Sequence, residues 1–181
     1  MKISENNSFL CKTWHDVEVF YRESVPDMKK ALRIVVAVVI CFAVGGVARW
    51  VQADALANWY PLLDKPSIMP PNWAFPVAWA IIYVCMGVSV GLILPARSNR
   101  RRELKKIFGI PLALNFLWSV SFFYMESPFL GMVNIIALAF VVMLYMEKAY
   151  KVNRASMWLF VPYALWLIFA IYLNGYIYYA N

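Results

Sequence analysis

Charge is scarce in this 181-residue chain: Asp, Glu, Lys and Arg together make up 15%, against roughly 25% in an ordinary soluble domain. A chain of this size leaves much surface facing its solvent, and that surface must be polar if the solvent is water. Most soluble enzyme folds are thereby excluded. Histidine occurs once, at His15, so neither a histidine-built zinc site nor a Ser-His-Asp triad can be assembled, and no metal site is expected. The three cysteines, Cys11, Cys41 and Cys85, are odd in number and contain no CxxC pair. Cys41 and Cys85 sit in apolar runs, where they read as small buried hydrophobes. Residues 1–30 carry scattered charges and no apolar h-region, so no cleavable signal peptide is expected.

Apolar residues are abundant, at 63%. They gather into five runs that predict transmembrane helices at about 31–50, 74–96, 107–126, 128–147 and 155–180. Each run approaches the 17–25 residues that carry a helix across a ~30 Å hydrocarbon core. Strand-like alternation is absent, and backbone groups in lipid must be satisfied within the segment, so the fold class is an all-α membrane protein, a five-helix bundle. Residues 1–30 form an extension. In it Leu10, Trp14, Val17 and Tyr21 recur at helical spacing, which permits either an amphipathic surface helix or a partly ordered tail.

Basic residues outnumber acidic ones by 17 to 10, and they are sorted by loop. Lys29, Lys30 and Arg33 open the first span; Arg97, Arg100, Arg101, Arg102, Lys105 and Lys106 join the second and third; Lys148, Lys151 and Arg154 join the fourth and fifth. The opposite side holds Arg49 and Lys65. This asymmetry predicts a cytoplasmic N-terminus and an external C-terminus. It also accounts for the net charge of +7 without a nucleic-acid partner.

Small residues punctuate the spans. Gly87 and Gly91 form a GxxxG in the second, and Ala37, Cys41 and Gly45 a stripe in the first. Such stripes let backbones approach, within one chain or between two. Between these spans lies Trp59-Tyr60-Pro61-Leu62-Leu63-Asp64-Lys65-Pro66-Ser67-Ile68-Met69-Pro70-Pro71-Asn72-Trp73. Its prolines favour extended or turn conformations. It reads as a lid over the mouth of the bundle or as a packed loop at headgroup depth.

Aromatic residues make up 17%, with eight tryptophans. Trp50, Trp59, Tyr178 and Tyr179 suit an interfacial belt. Trp79, Trp118 and Trp166 fall within apolar runs, where an indole N–H wants a partner. Helical spacing puts Phe75, Trp79 and Tyr83 on one face of the second span. It does the same for Asn115 and Ser119 on the third, and for Tyr163, Trp166 and Ala170 on the fifth. Converging, these faces would enclose a cavity of rings with one amide and one hydroxyl, suited to a flat, mostly apolar ligand. The alternative is a solid core with Asn115 as interhelical glue.

Several ordered motifs carry a specific likeness: Trp59-Tyr60 with Lys65-Pro66-Ser67, Pro70-Pro71 and Trp79; Leu114-Asn115-Phe116-Leu117-Trp118-Ser119 with Phe122-Phe123; Pro162-Tyr163-Ala164-Leu165-Trp166 with Phe169-Ala170 and Leu173-Asn174; and Asn181. From about Leu32 to Asn181 the chain resembles the TspO/MBR family, the tryptophan-rich sensory proteins related to the translocator protein or peripheral benzodiazepine receptor. The resemblance implies a five-helix homodimer in a bacterial cell membrane, with a pocket closed by the first loop. The implied ligands are porphyrins, protoporphyrin IX or haem, bound without a covalent link. The implied pocket residues are Tyr60, Pro70, Pro71, Trp79, Asn115, Trp118, Ser119, Phe122, Trp166 and Ala170; the helix faces add Phe75 and Tyr163.

The leading expectation is therefore a porphyrin receptor or sensor. Two other readings stay open. One is an enzyme degrading bound porphyrin in light and oxygen, with Trp79 and Trp166 as the implied redox-active indoles. The other is a porphyrin or small-molecule transporter. The spans hold no acid–base pair or activated nucleophile for conventional catalysis. Two departures from the family pattern stand out. Ile68 replaces the usual Trp after Lys-Pro-Ser, with Trp73 as the candidate substitute. No basic residue follows Leu173 and Tyr176 to complete a sterol-type pattern.

Overall fold

The computed structural model describes residues 28–94 and 99–181. The amphipathic reading of Leu10 to Tyr21, and Arg97 among the loop basics, lie outside the described residues. The chain runs through α1 (Met28–Val51), α2 (Ala53–Asn58), a 3-10 turn (Tyr60–Leu62), α3 (Ala74–Ile93), α4 (Asn99–Ser119), a π turn (Val120–Tyr124), α5 (Pro128–Tyr150), α6 (Arg154–Trp158) and α7 (Val161–Ala180). Among the described residues, five helical stretches are long and apolar enough to cross a membrane, and the expected five-helix class is the one observed. Side chains such as Val35, Val39, Ile40, Phe140, Leu165 and Ile168 point outward and exposed, as lipid-facing residues should.

The helix ends differ from the apolar runs in instructive ways. α1 begins at Met28 and α4 at Asn99, each earlier than the run it contains. Lys and Arg are good helix formers, so the helix continues past the depth at which lipid demands apolar residues. The fifth run is broken in two. Asn153 caps α6, its Oδ1 accepting from the Ala155 and Ser156 amides. α7 then starts with Pro162 in its first turn, where the missing N–H costs nothing.

α1 packs chiefly against α3, α4 against α5, and α5 against α7. The glycines explain the first pairing. A Cβ on Gly87 would lie 2.7 Å from Val38 Cα, and one on Gly91 3.0 Å from Ile34 Cα. The GxxxG stripe thus serves packing within one chain, against the backbone of α1. Lipid gives helices no hydrophobic drive to associate, so this close approach and buried hydrogen bonds hold the bundle. Ser89 Oγ donates to the Ser156 carbonyl at 2.9 Å, Ser156 Oγ donates to the Ser89 carbonyl at 3.0 Å, and the Ser89 and Tyr145 hydroxyls share a bond of 3.0 Å. All three groups are buried, and together they pin α3 to α5 and α6.

Candidate aromatic site

Two aromatic clusters occupy the interior. The first is built on α3 and α7. Trp79 stacks on Tyr83 (centroids 5.6 Å apart, planes at 28°) and meets Trp166 at 6.4 Å and Tyr163 at 6.2 Å, both edge to face. Phe75 packs edge-on against Trp166 at 5.7 Å. The one-turn spacing of Phe75, Trp79 and Tyr83 on α3 sets these rings in a column. Phe42 of α1 closes on Tyr83 at 5.6 Å. Gly45 leaves room for that ring: a Cβ there would lie 2.8 Å from Tyr83 Cζ.

Asn115 ties α4 into this cluster. It is 4% exposed, and its Nδ2 donates to Tyr83 Oη at 3.3 Å. Ser119, one turn on, is also buried. Tyr163 is fully buried beneath Trp79 and Phe160, and its hydroxyl has no hydrogen-bond partner. Such a phenol carries an unmet desolvation cost of about 1–3 kcal/mol. Trp79, Trp166, Phe75 and Ala170 are only half-buried. The cluster is sealed at its base and open toward its edge.

The second cluster lies under the first loop. Trp118 stacks on Phe122 (5.3 Å, 19°) and meets Phe123 edge to face at 5.6 Å. From the loop, Trp59 reaches Phe122 at 5.6 Å and Tyr60 reaches Phe123 at 5.6 Å. Leu63 and Met69 complete the cover, and Tyr60 Oη donates to Met69 Sδ at 3.6 Å. Burial pushes the Tyr60 phenol above its ordinary pKa. Trp118 also packs against the larger hydrophobic core to which Tyr83 and Tyr163 belong. Its indole Nε1 donates to Asn174 Oδ1 at 3.4 Å, while Asn174 Nδ2 donates to the Pro128 carbonyl at 2.8 Å.

Of the residues singled out from sequence, the first cluster unites Phe75, Trp79, Tyr163 and Trp166, with Asn115 joined through Tyr83 and Ala170 packed alongside. Tyr60, Trp118 and Phe122 meet in the second. Pro70 is partly buried; Pro71 is exposed and its carbonyl accepts from the Ala74 amide at 2.9 Å, starting α3. Trp59, Tyr60, Leu63 and Met69 of the loop pack on the rings. Trp73, the candidate substitute for the aromatic missing at Ile68, is 68% exposed at the start of α3. Trp59 packs inward and not in the interfacial belt, unlike Trp50, which is 79% exposed.

Sequence reasoning named Trp59, Phe123 and Asn174 but did not place them among the pocket residues. Phe122 and Phe123 are consecutive and both buried, which the π turn at Val120–Tyr124 permits; nothing in the residue types announces that turn. Asn174 had a signal, as an amide at membrane depth that must find partners. Two surface grooves lie apart from the first cluster. One of about 480 Å³ runs beside Trp50, Asp54, Phe123, Tyr124 and Glu126; one of about 500 Å³ is lined by Ala43, Val44, Val47, Leu112 and Phe116.

The chain has relatives of matching length. The family model described as "TspO/MBR family" matches residues 37–180. A protein named "Tryptophan-rich protein TspO" from Archaeoglobus fulgidus is 35% identical over 150 residues, covering 83% of this chain and 97% of that one. Its namesake in Chlorobaculum tepidum is 35% identical over 148 residues, covering 81% and 94%. The human protein named "Translocator protein" is 28% identical over 130 residues, covering 70% of this chain and 76% of its own length.

Proposed function

The chain belongs to the TspO/MBR family of multi-pass integral membrane proteins, and from that premise we propose that it is a membrane receptor for a porphyrin, bound without covalent attachment against the two aromatic clusters and beneath the first loop. The observation that carries this reading is the Tyr163 hydroxyl: fully buried, without a partner, and set under Trp79 in a cluster whose outer rings remain half-exposed. An orphaned donor beside flat aromatic faces fits a planar guest with a polar atom at its inner edge. The residues supply stacking surface from Trp79, Trp166 and Trp118, an amide from Asn115, and a phenol from Tyr163. Protoporphyrin IX matches that set in shape and chemistry.

On this reading Trp79 and Trp166 hold the macrocycle edge-on to one another, and Tyr60 covers it. The basic start of α4 and the basic α5–α6 junction face the cytoplasm, and the first loop faces outward, as the positive-inside asymmetry suggests. On this reading the chain works as a homodimer.

The test is a titration of purified protein in detergent with protoporphyrin IX, read as quenching of tryptophan fluorescence. Saturable quenching at micromolar ligand is expected. It should be abolished by Ala170→Phe, which fills the space beside Trp166, while helical content and elution volume stay unchanged. No quenching by the native chain, or undiminished quenching in the variant, would overturn the reading.

A further inference from the structure

The loop is held by more than ring stacking. Lys65 Nζ donates to three loop carbonyls, those of Tyr60 at 2.8 Å, Pro61 at 3.2 Å and Leu63 at 2.7 Å. It also lies 5.0 Å from the Tyr60 ring centroid. Residues 60–65 are thus gathered around one ammonium and form a compact body. That body is tied to α7 through Asn181. The Asp64 amide donates to Asn181 Oδ1 at 2.9 Å, and Asn181 Nδ2 donates back to the Asp64 carbonyl at 3.2 Å. The same Nδ2 donates to the Ile177 carbonyl at 2.9 Å, which fixes the amide so that Oδ1 faces the loop.

We infer that Asn181 is a positioning residue for the lid: its side chain latches the backbone of Asp64 and so holds Tyr60 over Phe122 and Phe123. The contact demands one acceptor and two donors from a single short side chain, and an amide supplies both. Aspartate lacks the donors and alanine lacks everything. Because both loop bonds use the Asp64 backbone, the Asp64 carboxylate takes no part. The pair is exposed to solvent, so it is strong enough to bias the lid closed and weak enough to release. A gating segment needs that balance. The inference rests on the proposal that the loop covers the ligand, but the latch itself can be tested without any ligand.

The experiment is hydrogen exchange by mass spectrometry on the full chain in lipid nanodiscs, comparing native protein, Asn181→Ala and Asp64→Ala. Asn181→Ala should speed exchange in the peptide covering residues 59–67 by roughly tenfold, the loss of two modest hydrogen bonds. Peptides from α3 and α5 should be unchanged, and Asp64→Ala should match the native protein. Unaltered exchange at 59–67 in Asn181→Ala would overturn the latch. So would an equal rise in Asp64→Ala, or a rise spread through α3 and α5. As a second readout, protoporphyrin IX should dissociate from Asn181→Ala faster by a similar factor. Should protoporphyrin IX fail to bind the native chain, the porphyrin reading falls, and the exchange measurement still decides the latch.

Discussion

Tyr163→Phe separates a structural role from a ligand-binding one, because the two give opposite signs. In the ligand-free protein the phenol oxygen is buried and unpaired. Folding strips water from it and returns nothing, a cost of about 1–3 kcal/mol. Phenylalanine keeps the ring that packs on Trp79 at 6.2 Å and on Phe160 at 6.1 Å and removes only the orphan. The variant should therefore be more stable than the native chain by about 1 kcal/mol or more, seen as a higher midpoint of unfolding in detergent. A ligand that hydrogen-bonds the hydroxyl loses that bond in the variant. Porphyrin affinity should then drop by roughly three- to tenfold, the value of one net hydrogen bond. Fluorescence titration and thermal unfolding on the same preparation read both effects. A variant that is less stable would show that the hydroxyl is satisfied and that the unmet donor is no pointer to a ligand. A more stable variant with unchanged affinity would remove Tyr163 from the binding site while leaving the packing argument intact.

Other consequences follow from the same contacts. Gly87→Ala sets a Cβ 2.7 Å from the backbone of α1; the helices must part, and a loss of about 1–3 kcal/mol in stability is expected, measured by unfolding in detergent. Asn174→Ala removes the acceptor of the Trp118 indole and the donor to Pro128, so about 1–3 kcal/mol is lost, with the Trp118 emission shifted. Trp79→Ala deletes the ring that touches Tyr83, Tyr163 and Trp166, and should weaken porphyrin binding roughly two- to tenfold, about the worth of one stacking face. For Tyr60 the sign is as follows: burial favours the neutral phenol, so its stabilising contribution is complete below the ordinary tyrosine pKa of about 10 and is lost as the pH rises beyond it. The midpoint of unfolding in detergent should therefore fall as the pH rises above about 10, and Tyr60→Phe should lessen that fall.

Much of the fold could be read from one physical fact, that lipid forces every backbone group to be satisfied locally and leaves five apolar runs as helices. The column of Phe75, Trp79 and Tyr83, and the face shared by Tyr163 and Trp166, were legible because helical spacing is regular. The second cluster was less so. Trp59 at the end of α2 looked like an interfacial residue by composition, and only the 3-10 turn at Tyr60–Leu62 directs it inward. Phe123 joins Phe122 through a π turn, a change of a single hydrogen-bond register that no residue type encodes. The latch at Asn181 joins positions 117 residues apart. Such pairings depend on how helices end in space, and spacing within a helix carries no information about them.

The central claim is that a planar guest sits among rings from α3, α4 and α7, and a crystal structure of the protein grown in lipid with protoporphyrin IX tests it most directly. The expected result is macrocycle density in contact with Trp79, Trp166 and Tyr163, with Tyr60 above it. Density confined to the groove beside Ala43 and Phe116, with the first cluster still closed ring on ring, would contradict the account.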